Sequence, residues 1–230
     1  MIELDRVTKK YGRKTVLKDL SFTAEKEEIT CLIGVNGAGK STLLKAIMGL
    51  TPIQGGQIRI DGEPIGRHMY DDKIAFVPDT LTMPPFMTVE NCLRFMRDFY
   101  DRWNGERAAH LLQFFKLNPA DRVASLSKGQ AAKLNLLLGL ALDTDYLLLD
   151  EPFSGIDLFS REQIISVFSS ELVEDRGVLM TTHEIEDIEH LIDKAVLLDQ
   201  GRVIRSIRCE EIREREGKSV IDVMREVYQP

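Results

Sequence analysis

The sequence predicts an α/β fold, and three observations carry that prediction. Ile29 to Ile33 is a mostly apolar run that stops at Gly34, passes through a glycine-rich turn and continues as a helical pattern. Strand patterns recur on both sides of this unit. Between them, from Pro84 to Leu142, the texture is helical. Strand, glycine turn and helix form the opening unit of many α/β proteins.

Taken in order, Ile2 to Thr8 alternates apolar and polar residues as a half-buried strand does, and Leu17 to Thr23 repeats the pattern more weakly. Ser41 to Leu50 reads as a helix with Leu43, Leu44, Ile47 and Leu50 on its apolar side. Gln57 to Ile60 and Lys73 to Val77 are further strand candidates, bounded by Gly or Pro. Val89, Leu93, Met96 and Tyr100 then fall at helical spacing, followed by Leu111, Leu112 and Phe115. The β pattern returns at Tyr146 to Leu149, Gly177 to Thr181 and Ala195 to Leu198. A helical insert inside an α/β frame accounts for this order. Near the end, Val220, Val223, Met224 and Val227 are spaced as one face of a short amphipathic helix. That face packs on its own domain or docks on another subunit.

Composition narrows the function. The 230 residues fit one domain, and 43% hydrophobic with 29% charged residues is ordinary for a globular chain. A net charge of -7 argues against a general nucleic-acid binder, which needs a basic face. The three cysteines, Cys31, Cys92 and Cys209, match neither metal-site nor disulfide spacing, so reduced cytosol is the expected compartment. Met1 to Lys10 is polar and charged, unlike a signal peptide. The most apolar stretch, Leu134 to Leu142, falls short of the roughly 20 residues a membrane helix needs, so any membrane role must come through a partner.

Gly34-Val35-Asn36-Gly37-Ala38-Gly39-Lys40-Ser41 matches the phosphate-loop pattern GxxxxGK[ST] throughout. Glycines let successive N–H groups turn inward as an anion nest, and the following helix aims its positive end at the same point. Lys40 would reach the terminal phosphates, and the Ser41 hydroxyl would serve Mg²⁺. A chance match arises in about one chain in a hundred of this length, but chance does not supply the flanking strand and helix.

Tyr146 to Leu149 is an apolar strand that ends in Asp150 and Glu151. The carboxyl end of a parallel strand is where such sheets place ligands. Asp150 would hold Mg²⁺ and Glu151 would polarise a water aimed at the γ-phosphate. By itself the pair could equally leave the strand into solvent. A third element, Leu126-Ser127-Lys128-Gly129-Gln130, places Ser127 three residues before Gln130, a capping box. It reads either as a well-capped helix or as a second anion site. Two phosphate-binding helix ends in one chain suggest two chains sharing nucleotides.

These motifs, in this order, resemble the ATP-binding cassette family, the nucleotide-binding subunits of ABC transporters. Gly34 to Thr42 is similar to the Walker A motif, Leu126 to Gln130 to the LSGGQ signature, and Leu147 to Glu151 to Walker B. Ser154-Gly155-Ile156-Asp157 resembles the D-loop, and His183 in Thr181-Thr182-His183-Glu184 resembles the switch histidine. Tyr11 resembles the aromatic that stacks on adenine. Singly, His183 could be an ordinary strand-end histidine and Tyr11 a surface tyrosine.

The resemblance implies a P-loop NTPase core with a small antiparallel β subdomain and an inserted helical subdomain that carries the signature. It implies one nucleotide-binding domain over residues 1–230, with a helical subdomain near 84–142 and a C-terminal helical tail over 209–230. Gly34, Asn36, Gly37, Ala38, Gly39, Lys40, Ser41 and Thr42 would hold ATP in one chain, and Ser127, Gly129, Gln130 and Asp157 would close on it from a second. The second chain is an identical or a related subunit. His183 would contact the γ-phosphate, Glu151 would be catalytic, and ATP with Mg²⁺ would be the ligands. The implied setting is the cytoplasmic face of a membrane, beside a membrane-spanning permease and without nucleic acid. Phe86 to Trp103, aromatic-rich, either lies near that permease or packs the helical subdomain.

Two positions depart from the family pattern. Lys128 stands where the signature usually has glycine, and Asp79 where a glutamine is usual. Both resemble the branch serving ABC-2-type exporters, so export is expected over uptake, and Asp79 joins Ser41 and Asp150 as a metal candidate. A non-transport cassette acting on ribosomes or DNA is the competing reading. Such proteins usually fuse two cassettes or insert long coiled coils, and this sequence shows neither. A regulatory module without turnover is disfavoured by Glu151 and His183.

Overall fold

The computed structural model describes residues 1–65, 73–170, 173, 175–183 and 185–228. The chain begins with β1 (Ile2–Tyr11), β2 (Lys14–Ala24) and β3 (Ile29–Ile33), then α1 (Lys40–Ile47), β4 (Gly55–Ile60), β5 (Glu63–Pro64) and β6 (Ile74–Val77). Helices α2 (Val89–Phe99), α3 (Gly105–Phe114) and α4 (Lys128–Leu140) follow. Next come β7 (Tyr146–Asp150), α5 (Leu158–Phe168), β8 (Gly177–Thr182), β9 (Lys194–Asp199) and β10 (Arg202–Arg208). Two short helices end the chain, α6 (Cys209–Glu216) and α7 (Val220–Tyr228).

Two sheets result. One is antiparallel, in the order β2-β1-β4-β5. The other runs β10-β9-β3-β8-β7-β6, parallel except for the β10 edge. Strand β7 is buried along its whole length, as a central parallel strand covered on both faces must be. Its side chains alternate between two cores. Tyr146 and Leu148 join α1 and the antiparallel sheet, while Leu147 and Leu149 join the helices on the opposite face.

The helices α2, α3 and α4 lie between β6 and β7 in sequence. Helix α4 is apolar nearly all round, and Leu134, Leu136, Leu137, Leu138 and Leu140 are all buried. It presses close on β6, because a Cβ at Gly139 would stand 2.3 Å from Val77 Cγ2. Helix α7 buries Val220 and Val223 against the same core, so the amphipathic tail packs on its own domain. The three thiols are buried, and burial pushes that of Cys209 up to about 12.

Three features differ from the expectation. Leu50 is 65% exposed, because α1 ends at Ile47 and Gly49, at φ 63, turns the chain before Leu50 can join its stripe. Helix α5 was not anticipated: Leu158 and Phe159 are exposed and break the stripe formed by Ile164, Val167 and Phe168. Strand β10 was also missed. Its burial alternates as a strand's does, but Ile204 is exposed and Arg205 takes an inward, half-buried position, so the apolar pattern does not follow the burial. The last two residues of the expected tail, 229 and 230, and Glu184 lie outside the described residues.

Candidate active site

The carboxyl ends of β3, β7 and β8 bring the sequence-predicted groups together. After β3 the chain turns through residues 34–39 into α1, with Gly39 at the helix N-cap at φ 111. Only glycine adopts that backbone without strain, and a Cβ there would also stand 2.8 Å from Leu17 Cδ2. Helix α1 has no side-chain cap, so its first N–H groups remain available to an anion.

Lys40, only 6% exposed, is held under the turn. Its Nζ donates to the Gly34 carbonyl at 2.7 Å and pairs with Glu151 Oε1 at 3.0 Å. Ser41 Oγ donates to Asp150 Oδ1 at 3.0 Å. Asp150 is 2% exposed, so its charge requires donors. The second donor is Thr181 Oγ1, at 2.7 Å from the same oxygen.

Glu151 leaves β7 with φ 47, a conformation costing a non-glycine residue about 1–2 kcal/mol. Strand β8 holds it there: Glu151 N donates to Thr181 Oγ1 at 2.9 Å and to the Thr181 carbonyl at 3.2 Å. Glu151 Oε2 lies 2.8 Å from His183 Nδ1. An ionised carboxylate only accepts, so His183 presents Nδ1–H to it. Glu151 thus stands between a cation on one oxygen and an imidazole on the other.

These groups border two spaces that share Asn36, Ser41 and Glu151 in their linings. Val16, Asn36, Gly37, Lys40, Thr42 and Glu151 line a cleft of about 230 Å³. A wider groove of about 700 Å³ is lined by Asn36, Ser41, Asp79, Lys128, Glu151 and His183. Among the described residues, no group of three or more His, Cys, Asp or Glu could hold a metal. A hard divalent cation at Ser41 and Asp150 would therefore complete its shell with ligand oxygens and water, the usual habit of Mg²⁺ beside a phosphate.

The remaining candidates sit further out. Ser127 caps α4 in a full capping box: its Oγ accepts from Gln130 N at 3.2 Å, and Gln130 Oε1 accepts from Ser127 N at 2.9 Å. The Ser127 hydroxyl proton stays available, and Ser127 and Lys128 are exposed. Gly129 is buried against the start of α5, where a Cβ would meet Ser160 Oγ at 2.3 Å and Asp157 Oδ2 at 2.8 Å. Asp157 caps α5 by accepting from Ser160 N at 3.0 Å, and that bond holds its carboxyl below the usual range. Ala38 is buried within the turn. Asp79 is exposed, and its carboxylate has one long contact, from Thr80 Oγ1 at 3.5 Å. Tyr11 is half-exposed at the end of β1, its hydroxyl 3.4 Å from Thr51 Oγ1 and Lys9 Nζ 4.6 Å from its ring centroid. It lines neither space.

Two contributors were not singled out in the sequence. Thr181 had its signal, being one of two adjacent hydroxyls that end a fully buried apolar strand and must bond something. Val16 had none, being one apolar residue in a strand.

An anion cradle at the carboxyl edge of a parallel sheet, with a carboxylate pair two strands away, defines a class: the P-loop nucleoside triphosphatases. Comparison with known proteins narrows it. The family model described as ABC transporter matches residues 17–154. The linearmycin resistance ATP-binding protein of Bacillus subtilis is 34% identical over 211 residues, spanning 89% of this chain and 68% of that one. A Nod factor export ATP-binding protein of Burkholderia orbicola is 38% identical over 231 residues, spanning 96% and 76%. Among solved structures, an ATP-binding subunit of an ABC transporter superposes with a TM-score of 0.88 at 28% identity over 100% of both chains. A dimeric ATP-binding cassette in a post-hydrolysis state with ADP and Pi gives 0.79 at 26% identity, over 90% of this chain and 98% of that one. The chain belongs to the ABC transporter family, and it is an ATPase.

Proposed function

We propose that this chain hydrolyses ATP with Mg²⁺ to power export through a separately encoded membrane-spanning permease. The observation that carries the ATPase half is the Lys40–Glu151–His183 array, with 3.0 and 2.8 Å contacts around one carboxylate. The export half is supported by relatives named for resistance and for Nod factor export.

In this reading the N–H groups of residues 36–42 cradle the phosphates, and Lys40 exchanges Glu151 for the terminal phosphate oxygens. Release from Lys40 leaves Glu151 free to accept the proton of a water attacking the γ-phosphorus, while His183 keeps the carboxylate oriented. Ser41 and Asp150 would hold Mg²⁺, which supplies positive charge against the phosphate oxygens. Asp79, across the groove, would reach it through water. Tyr11 would serve the adenine.

The working unit is a dimer, homomeric or with a related subunit, in which the partner's Ser127, Gly129, Gln130 and Asp157 equivalents close on the ATP. The exposed cap of α4 and the dimeric cassette among similar structures support this. The chain acts as one domain, with residues 84–142 as helical subdomain and 209–230 as tail. No helix among the described residues is long and apolar enough to cross a membrane. The chain would sit on the cytoplasmic face, and exposed aromatics support a permease contact on the helical subdomain. Phe86 and Phe99 are 76% and 72% exposed, Phe95 and Phe99 stack at 4.5 Å, and an apolar groove of about 490 Å³ lies beside them.

Purification of the tagged chain from detergent-solubilised membranes tests the reading. A polytopic membrane protein should co-purify stoichiometrically and raise the ATPase rate. Recovery with ribosomal RNA or DNA instead would overturn it.

A further inference from the structure

We propose that Tyr228 is a positioning residue for nucleotide binding: its hydroxyl fixes the strand-end carbonyls from which the phosphate cradle springs. This rests on the reading that the cradle binds ATP. The Tyr228 hydroxyl lies 3.1 Å from the Ile33 carbonyl oxygen and 3.0 Å from that of Leu198. Ile33 is the last residue of β3, immediately before Gly34, and Leu198 lies near the end of neighbouring β9. One hydroxyl proton serves both acceptors and ties the two strand ends together.

Contacts lead from there to the cradle. Gly34 is packed on Leu198, since a Cβ at Gly34 would stand 2.4 Å from the Leu198 carbonyl oxygen. The Gly34 carbonyl in turn accepts from Lys40 Nζ at 2.7 Å. A shift of Ile33 or Leu198 therefore moves Gly34, and with it the lysine that meets the terminal phosphates. Tyr228 touches no phosphate site directly, so it acts through these backbone groups.

The helix carrying Tyr228 is itself well fixed. Val220 and Val223 are buried, and Val220 N donates to Glu189 Oε1 at 2.6 Å. Ser219 Oγ accepts from Asp222 N at 3.0 Å, and Asp222 Oδ2 accepts from Ser219 N at 3.0 Å. Burial, with Asp199 nearby, pushes the Tyr228 phenol up to about 12, so it stays a donor at physiological pH. The same side chain borders a cleft of about 400 Å³ whose lining also includes His183 and Ile185.

The test compares Tyr228→Phe, which keeps the ring and removes the donor, with Met224→Ala, which removes packing from the same helix. ATP affinity, kcat, KM and nucleotide-free Tm are measured on the full chain. The loss of one hydrogen bond from the cradle's base predicts about three- to tenfold weaker ATP binding in Tyr228→Phe. Its kcat should stay within about twofold of wild type, and its Tm should fall less than that of Met224→Ala, because a hydrogen bond contributes less than the packing of a half-buried methionine on the core. Met224→Ala should lower Tm at unchanged affinity. Unchanged affinity in Tyr228→Phe would overturn the proposal, as would affinity falling in both variants in proportion to Tm. Failure of the wild-type chain to bind ATP would instead remove the reading on which the proposal rests.

Discussion

Replacing Thr181 by valine isolates the hydroxyl that joins the Asp150 carboxylate and the Glu151 backbone N–H to the neighbouring strand. Thr181 is fully buried, and valine fills nearly the same volume, so the change is polar rather than steric. Two bonds are lost, the 2.7 Å donation to Asp150 Oδ1 and the 2.9 Å acceptance from Glu151 N. They do not weigh equally. Glu151 N–H retains the Thr181 carbonyl at 3.2 Å, so it is not orphaned. Asp150 keeps only the Ser41 hydroxyl at 3.0 Å on that oxygen, inside a site where water cannot readily replace the missing donor. The dominant loss is one charge-assisted hydrogen bond, about 1.5–3 kcal/mol. For a domain of this size each kcal/mol shifts Tm by about 2–4 °C, so Tm should fall by about 3–12 °C. Turnover should fall at least about tenfold, because the strained Glu151 backbone and Asp150 both lose their shared guide. Thermal and urea unfolding followed by circular dichroism, with steady-state hydrolysis on the same samples, measure both. A destabilisation below about 0.5 kcal/mol with an unchanged rate would refute the argument.

Gly129→Ala should cost about 1–3 kcal/mol, since the added carbon meets Ser160 Oγ at 2.3 Å and Ser160 Cβ at 2.9 Å. The double change with Ser160→Gly should recover part of the Tm, and an unchanged Tm in the single variant would mean that α4 and α5 do not pack as described. Asp79→Asn should raise the Mg²⁺ concentration for half-maximal hydrolysis while leaving metal-free nucleotide binding nearly unchanged. An unaltered Mg²⁺ titration would remove Asp79 from the site.

How much of this was legible in the sequence depends on the kind of signal. The buried parallel strands were readable because covered strands are apolar throughout, as Tyr146 to Leu149 shows. The turn from β3 into α1 was readable because its glycines are dictated by local backbone geometry. Edge strand β10 and helix α5 were not, because an exposed Ile204 beside an inward Arg205, and the exposed Leu158 and Phe159, break the apolar periodicities that betray such elements. The site was legible in its charged members and illegible in its connections. Nothing local says that Thr181 bridges Asp150 and Glu151, that Gly129 is pressed on Ser160, or that Tyr228 reaches Ile33. Each of these contacts is set by how distant segments pack.

The assignment of Glu151 as the base of ATP hydrolysis is tested most directly by Glu151→Gln. The amide keeps the shape of the side chain but cannot take the proton, and it also loses the charge facing Lys40 at 3.0 Å. ATP binding should therefore persist or tighten, while hydrolysis measured by phosphate release should fall by about two to four orders of magnitude. With turnover blocked, an ATP-dependent dimer should accumulate in size-exclusion chromatography. Hydrolysis by the variant at the wild-type rate would contradict the account.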